Sequence, residues 1–194
     1  FTLTDKDSNR LYGFCRRYSA TAGVNSVEVA CILTRFCWYD AFSHLLDAVE
    51  DTATGAKGAY GVAALMKAVT AAGLPHPGQL LHIPVAGIHP SSHTLSIERP
   101  VNTSRCKYDR RLCVLFRSLV VSKIVMLFFL MLTERRIIIM SAHPSVLSDC
   151  AHALESLLYP FAWQHIYVPI LVPKMIDYVC APMPFLIGMH ISML

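Results

Sequence analysis

Ile124-Val125-Met126-Leu127-Phe128-Phe129-Leu130-Met131-Leu132, then Thr133-Glu134-Arg135-Arg136, then Ile137-Ile138-Ile139-Met140: an apolar run, a charged turn and a second apolar run open the stretch 124–188, the part of the chain densest in core-type residues. The first run is less than half of the roughly 20 residues that a membrane-spanning helix needs. Extended backwards it meets Lys123, Ser122 and Arg117; extended forwards it meets Glu134-Arg135-Arg136. It is therefore read as a helix inside a folded protein. It is apolar almost all round, so it is expected to be buried on most sides, with Ser122 as its N-cap. Arg136 to Ser141 is short and β-branched without alternation, the pattern of a strand covered on both faces. Pro144 suits the first turn of a helix, and Leu147, Cys150, Ala151, Leu154, Leu157 and Leu158 recur at helical spacing. Trp163 to Leu171 reads as the next strand. Strand, helix, strand makes a crossover unit, expected to be right-handed with its two strands parallel. A short helix over 173–180, ended by Pro182 and Pro184, precedes a last strand from Phe185 to Met189.

Upstream the periodicity changes. Phe1 to Thr4 and Leu11 to Cys15 read as strands around the polar turn 5–9, and Val27 to Leu33 as a third strand after a turn at Asn25-Ser26. Three consecutive antiparallel strands leave one face to be covered. Phe42, Leu45, Leu46 and Val49 fall at helical spacing, and so do Val62, Leu65, Met66 and Val69 after the loop 52–58, with Gly73 as a stop. Residues 1–73 thus predict a small α+β layer. Leu74-Pro75-His76-Pro77-Gly78 breaks the pattern, and from there to about Arg105 only short strand-like pieces (80–85, 94–97) stand among Pro, Gly, Ser and His.

A chain of 194 residues is one domain or two small ones. Apolar residues make up 54% and charged residues 15%, a balance that calls for buried sheet or a membrane segment. The net charge of +4 comes from scattered basic residues, without the basic stripe and interleaved aromatics of a nucleic-acid surface. Seven cysteines, at 15, 31, 37, 106, 113, 150 and 180, include no C-x-x-C pair. That favours reduced, partly buried thiols over a disulfide framework or a zinc site.

Candidate chemistry is sparse. His143, His152 and His165 lie in the organising stretch with Asp149 and Cys150, but Cys150 and His152 are two residues apart and fall on different helix faces. Asp40, Asp47, Glu50 and Asp51 read as a solvated helix face. The sequence contains no Gly-rich phosphate loop, no G-x-S-x-G and no H-E-x-x-H. Glu134-Arg135-Arg136 reads as a helix cap with an internal ion pair, or as an arginine offered to a partner. Tyr159-Pro160 and Trp163-Gln164-His165 form an aromatic corner, either core packing or a protein-binding surface, since Trp and Tyr dominate binding hot spots.

These same residues carry a resemblance. Leu132-Thr133-Glu134-Arg135-Arg136 resembles the L-x-E-R-R element of the DENN-domain family. Leu158-Tyr159-Pro160-Phe161 with Trp163-Gln164-His165-Ile166-Tyr167-Val168-Pro169-Ile170-Leu171 resembles its L-Y-P-F-x-W-Q-H-x-Y-I-P-V-L-P signature. Ala181-Pro182-Met183-Pro184-Phe185-Leu186-Ile187-Gly188 resembles A-P-M-P-Y-L-I-G. Phe1 to Asp5, Leu11 to Cys15, Leu33-Thr34-Arg35-Phe36 and Pro75-His76-Pro77-Gly78 are similar to the family's upstream module, and residues 80–110 match weakly. Leu171-Val172-Pro173 carries one residue more than the family pattern, which is expected to shift the start of the following helix.

The resemblance implies an α/β protein of two lobes. Residues 1–78 would be an N-terminally truncated upstream lobe, a longin-like antiparallel sheet with helices. Residues 79–104 would be a connector, and 105–194 a C-terminally truncated central α/β lobe containing the crossover. It implies guanine-nucleotide exchange on a Rab-family small GTPase in membrane trafficking, without covalent chemistry, catalytic residues, cofactor or metal. A protein that keeps the fold as a non-catalytic trafficking scaffold is the alternative, and a cysteine- or metal-dependent hydrolase is the reading from another class. The expected partner is the GTPase, with neither nucleic acid nor a transmembrane segment involved, and the expected location is cytoplasmic and peripheral on endomembranes. The residues expected at the GTPase interface are Arg135, Tyr159, Gln164, His165 and Tyr167.

Overall fold

A computed structural model of the chain describes residues 1–4, 9–19, 27–85, 94–101 and 110–194. The expected turn at 5–9 (apart from Asn9), the turn at 25–26, and Cys106 lie outside them. In chain order the elements are β1 (Thr2–Thr4), β2 (Arg10–Ser19), β3 (Val27–Thr34), α1 (Tyr39–Thr54), α2 (Gly58–Ala72), β4 (Leu80–Pro84) and β5 (Thr94–Glu98). Then follow α3 (Arg110–Ser118), α4 (Val121–Leu132), β6 (Ile137–Ser141), α5 (Pro144–Leu157), β7 (Ile166–Val168), a 3-10 segment (Pro173–Cys180), β8 (Phe185–His190) and a final 3-10 turn (Ile191–Met193). The protein is a mixed α/β chain that divides into two compact units, Leu11–Thr103 and Phe1–Arg10 with Ser104–Leu194.

In the unit Leu11–Thr103, β2 and β3 pair antiparallel, with Cys15 opposite Cys31 and Arg17 opposite Val29. Alternation puts Phe14, Arg16, Ala30 and Ile32 on the face that α1 covers. Phe14 packs edge-on to Tyr39 at 4.9 Å and against Phe42 at 5.0 Å. Leu45, Ala48 and Val49 of α1 join Leu65 of α2 in one core, as their spacing predicts. Helix α1 runs on through Thr52, whose hydroxyl donates to Ala48 O at 2.7 Å, so part of the expected loop is helical. Gly73 ends α2 with φ of 72°, a backbone position that favours glycine. Residues 80–98, read as part of a connector, form an antiparallel hairpin that places Ile83, Val85 and Ile97 in the same core.

The other unit is built on a parallel sheet of order β6-β8-β7. β6 and β7 both run parallel to β8, which lies between them. The strand covered on both faces is therefore β8. Leu186 packs with Ile137, Ala151 and Leu154, while Phe185, Ile187 and Met189 pack with Leu171. Two expectations are corrected here. Among the described residues β6 pairs with β8 alone, and Ile138 and Met140, which share one face of the strand, are exposed, so that face is not covered as expected. Helix α4 is not buried on most sides: Ile124 and Met131 are buried, but Val121, Val125, Met126, Phe129 and Leu132 are exposed. The residue at its N-cap is Val120, not Ser122, because the chain breaks at Leu119 and α3 meets α4 at 111°. Among the described residues no single helix is long and apolar enough to cross a membrane.

Gly188 sets how closely this unit packs. A Cβ there would lie 2.0 Å from Pro169 O and 3.3 Å from Leu147 Cβ. Leu171 N donates to Gly188 O at 2.7 Å, so the backbone of 169–171 lies directly on β8. Overpacked cores lose about 1–3 kcal/mol, and here the clash is with backbone, which cannot rotate away. Gly188→Ala should lower the urea unfolding free energy by at least about 3 kcal/mol.

Candidate functional site

The turn from α4 into β6 and the turn before β7 come together at one place. At the end of α4, Glu134 N donates to Met131 O at 3.0 Å and Arg135 N to Leu130 O at 2.9 Å. That is the paired closure that satisfies the last carbonyls of a helix, normally with glycine at the position Glu134 occupies. Glu134 holds φ of 51° there, a conformation that costs a non-glycine residue about 1–2 kcal/mol. Its carboxylate reaches across to the second turn. Glu134 Oε1 lies 3.2 Å from His165 Nε2, an ion-pair distance without hydrogen-bond alignment. The Glu134 carboxylate thus meets a histidine from the other turn. The same closure leaves Arg135 exposed beside it.

The second turn is anchored from inside. Trp163 is buried, and its Nε1 donates to Ile166 O at 3.1 Å. His165 stands edge-on to the Trp163 ring at 5.2 Å, half in solvent. Tyr159, Phe161 and Gln164 are exposed around it, and Gln164 Nε2 makes only a long contact of 3.4 Å to Ala162 O. Trp163 thus packs in the core, as the first of the two readings had it, and Tyr159 and Phe161 are exposed beside it. Of the five expected interface residues, Arg135, Tyr159 and Gln164 are exposed, His165 is half-buried, and Tyr167 is 4% exposed beneath them.

Tyr167 belongs to a buried polar group that the sequence does not disclose. Its hydroxyl is 2.6 Å from Nδ1 of His152 on α5. Arg10, at the start of β2, places its guanidinium over the Tyr167 ring at 4.8 Å. Arg10 also donates from Nη2 to Trp163 O at 2.9 Å and pairs through Nη1 with Glu155. Burial drives the His152 pKa well below its ordinary value, and the positive charges of Arg111 and Arg10 add to the effect. His152 is therefore a neutral, satisfied core histidine. Burial likewise raises Asp149, against the pull of Arg111 and Arg110, and raises the Cys150 thiol. These groups are packed rather than poised over a cleft. Among the described residues no cluster of three or more His, Cys, Asp or Glu could hold a metal ion. The apolar groove lined by Phe116, Val121, Ile124, Val125, Phe128 and Leu157 offers no titratable group either.

The family model of the DENN (AEX-3) domain matches residues 25–194. Among curated proteins, DENN domain-containing protein 2A of Homo sapiens is 42% identical over 197 residues, covering 100% of this chain and 19% of that protein. DENN domain-containing protein 2B of Mus musculus is 36% identical, covering 100% of this chain and 17% of its own length. DENN domain-containing protein 1A of Homo sapiens is 34% identical, covering 100% and 18%. The chain thus spans about a fifth of the length of the relatives it matches.

Two measurements test the buried group. Because the folded state disfavours protonated His152, the unfolded chain takes up the additional proton as the pH falls below about 6.5. Stability is then fully present above that pH and declines on acidification, by at most about 1.4 kcal/mol per pH unit. Asp149 acts in the opposite sense, since its raised pKa lets the folded state bind a proton first at lower pH. Urea unfolding between pH 8 and pH 5.5 should show the decline, and His152→Gln should flatten it. Tyr167→Phe should cost about 1–3 kcal/mol at pH 8 by removing the hydroxyl from the buried histidine.

Proposed function

Since the chain belongs to the DENN (AEX-3) domain family, we propose that it promotes GDP release from a Rab-family small GTPase in membrane trafficking. The observation that carries this reading is a family match that covers both turns of the corner, over residues 25–194, with relatives aligned across the whole chain. An exchange factor of this kind transfers no group. It binds the nucleotide-free GTPase more tightly than the nucleotide-bound form, and linkage then weakens nucleotide affinity by the same factor. Each 1.4 kcal/mol of that difference is about tenfold. Such work requires a rigid surface with exposed anchors, and Tyr159, Phe161, Gln164 and Arg135 on a corner braced by Trp163 and Tyr167 are of that type. We assign Arg135, Tyr159, Gln164 and the edge of His165 to the contact, with Tyr167 acting from beneath as a positioning residue. The longin-like character of the upstream lobe, the right-handed sense of the β6–α5–β7 crossover and a cytoplasmic location peripheral to endomembranes belong to the same reading.

A non-catalytic scaffold that binds the GTPase without exchange is the second reading. It rests on the same exposed side chains, Tyr159, Phe161, Gln164 and Arg135, which suit binding alone as well as exchange. Release of fluorescent GDP from a panel of Rab GTPases separates the two. Exchange predicts faster release from at least one Rab, and joint alanine substitution of Arg135, Tyr159 and Gln164 should slow it by at least tenfold while leaving the unfolding midpoint unchanged. Binding of a nucleotide-free Rab without faster release would favour the scaffold; neither binding nor release from any member would end both.

A further inference from the structure

Cys15 and Cys31 face each other across the β2–β3 hairpin, in direct register. Their sulfurs are 3.3 Å apart, with Cys15 donating its S–H to Cys31 Sγ. Both are exposed, on the hairpin face opposite the one that α1 covers, so a small reagent can reach them. Arg17 occupies the next outward position on β2, and Val29 and Leu33 flank Cys31 on β3. Directly opposed residues of an antiparallel pair have Cβ atoms about 4.5–5.5 Å apart, while a disulfide wants about 3.5–4.5 Å. Bond formation thus asks the strands to close by roughly 1 Å, with no rearrangement of the fold. Disulfides formed under such strain are the readily reduced, reversible kind rather than permanent staples.

We propose that Cys15 and Cys31 form a reversible dithiol–disulfide site that exchanges with low-molecular-weight disulfides of the glutathione type. Cys31 Sγ accepts the S–H of Cys15, so Cys31 is the sulfur that opens the exchange. As the thiolate it attacks one sulfur of the small disulfide, forms a mixed disulfide and releases one small thiol. Cys15 then loses its proton and attacks Cys31 Sγ, and the second small thiol departs. Two protein S–H bonds and one S–S bond of the reagent become one protein S–S bond and two small thiols. The protein gives up two electrons and two protons, and the reagent is reduced. Burial, the hydrogen bond to Cys31 and the charge of Cys31 push the Cys15 thiol up to about 11, so Cys15 is the poorer first attacker, and once Cys31 is held in the mixed disulfide that bond and that charge no longer keep the proton on Cys15. The bond would lock the register of β2 against β3 on the exposed face of the sheet.

The test treats the folded chain with oxidised glutathione, traps free thiols with an alkylating agent, and maps peptides without reduction. The expected product is a Cys15–Cys31 cross-link, lighter by two hydrogens and reversed by dithiothreitol, while exposed Cys113 and Cys180 carry glutathione or the alkylating group. Cys15→Ser should leave glutathione on Cys31 as the arrested first step, and denaturation in urea before treatment should abolish the preference for this pair. Independent alkylation or glutathionylation of Cys15 and Cys31 in the folded chain would overturn the proposal, and so would equal cross-linking of this pair before and after denaturation.

Discussion

The unit that carries the candidate surface depends on one strand being covered from every side. β8 is bordered by β6 and β7, carries α5 and Pro169 O on the face of Leu186 and Gly188 and the Leu171 side chain on the face of Phe185, Ile187 and Met189, and its Gly188 O accepts from Leu171 N. Such a strand cannot alternate, and Phe185-Leu186-Ile187 does not. It also needs one position without a side chain where the covering backbone crosses. Gly188 supplies it, with Pro169 O where a methyl group would stand. Burying Leu186 and Ile187 contributes about 1.5–3 kcal/mol each. The close approach at Gly188 decides whether that burial is reached, because the 169–171 segment cannot settle on β8 from further away.

The same segment carries the corner. Trp163, His165 and Tyr167 precede Pro169 on the chain, so the seat on β8 also fixes the surface. Tyr167 passes this order inward to His152 on α5, and Arg10 ties both to Glu155 and to the Trp163 carbonyl. Glu134 ties the corner outward, to the end of α4. The contact between Glu134 and His165 is partly exposed and contributes little to stability. Glu134 nevertheless sits in a backbone conformation that disfavours glutamate, so the arrangement serves the position of the turn more than the energy of the fold.

Much of this was readable from residue patterns, and the failures have physical reasons. Helical spacing placed α1, α2 and α5, and Pro144 marked where α5 begins, because those signals are local. Coverage is not local. The apolar run 124–132 and the β-branched run 137–140 look buried all round, yet both lie at the border of the unit and expose half their residues, since nothing in a run of Ile, Leu and Phe says which side has a neighbour. The strand expected over 163–171 shrinks to Ile166–Val168 because Trp163 turns inward and Pro169 leaves the sheet to cover β8. The hydrogen bond of Tyr167 to His152 spans 15 residues, and the reach of Arg10 to Glu155 spans 145, so neither leaves a trace in spacing. Cys15 and Cys31 meet because of a register set by the hairpin as a whole. The corner's identity came through for a different reason: its family signature is a run of residues each with its own structural duty, Trp163 to anchor, Tyr167 to brace and Gly188 to admit a backbone.

That division of duties bears on what kind of function the surface can have. Catalysis by acid, base or nucleophile needs titratable groups held at a cleft with their reactive atoms open to a substrate. Here the buried titratable groups point the other way. His152 is held neutral by burial and bonded to Tyr167, and Cys150 keeps its proton for lack of solvent. What the corner leaves open is Tyr159, Phe161, Gln164 and Arg135, whose chemistry is contact: ring area, an amide and a fixed positive charge. A surface of that composition, rigid because its support is buried and satisfied, can discriminate between two conformations of a partner only through how well each fits. That is what the proposed exchange would ask of it.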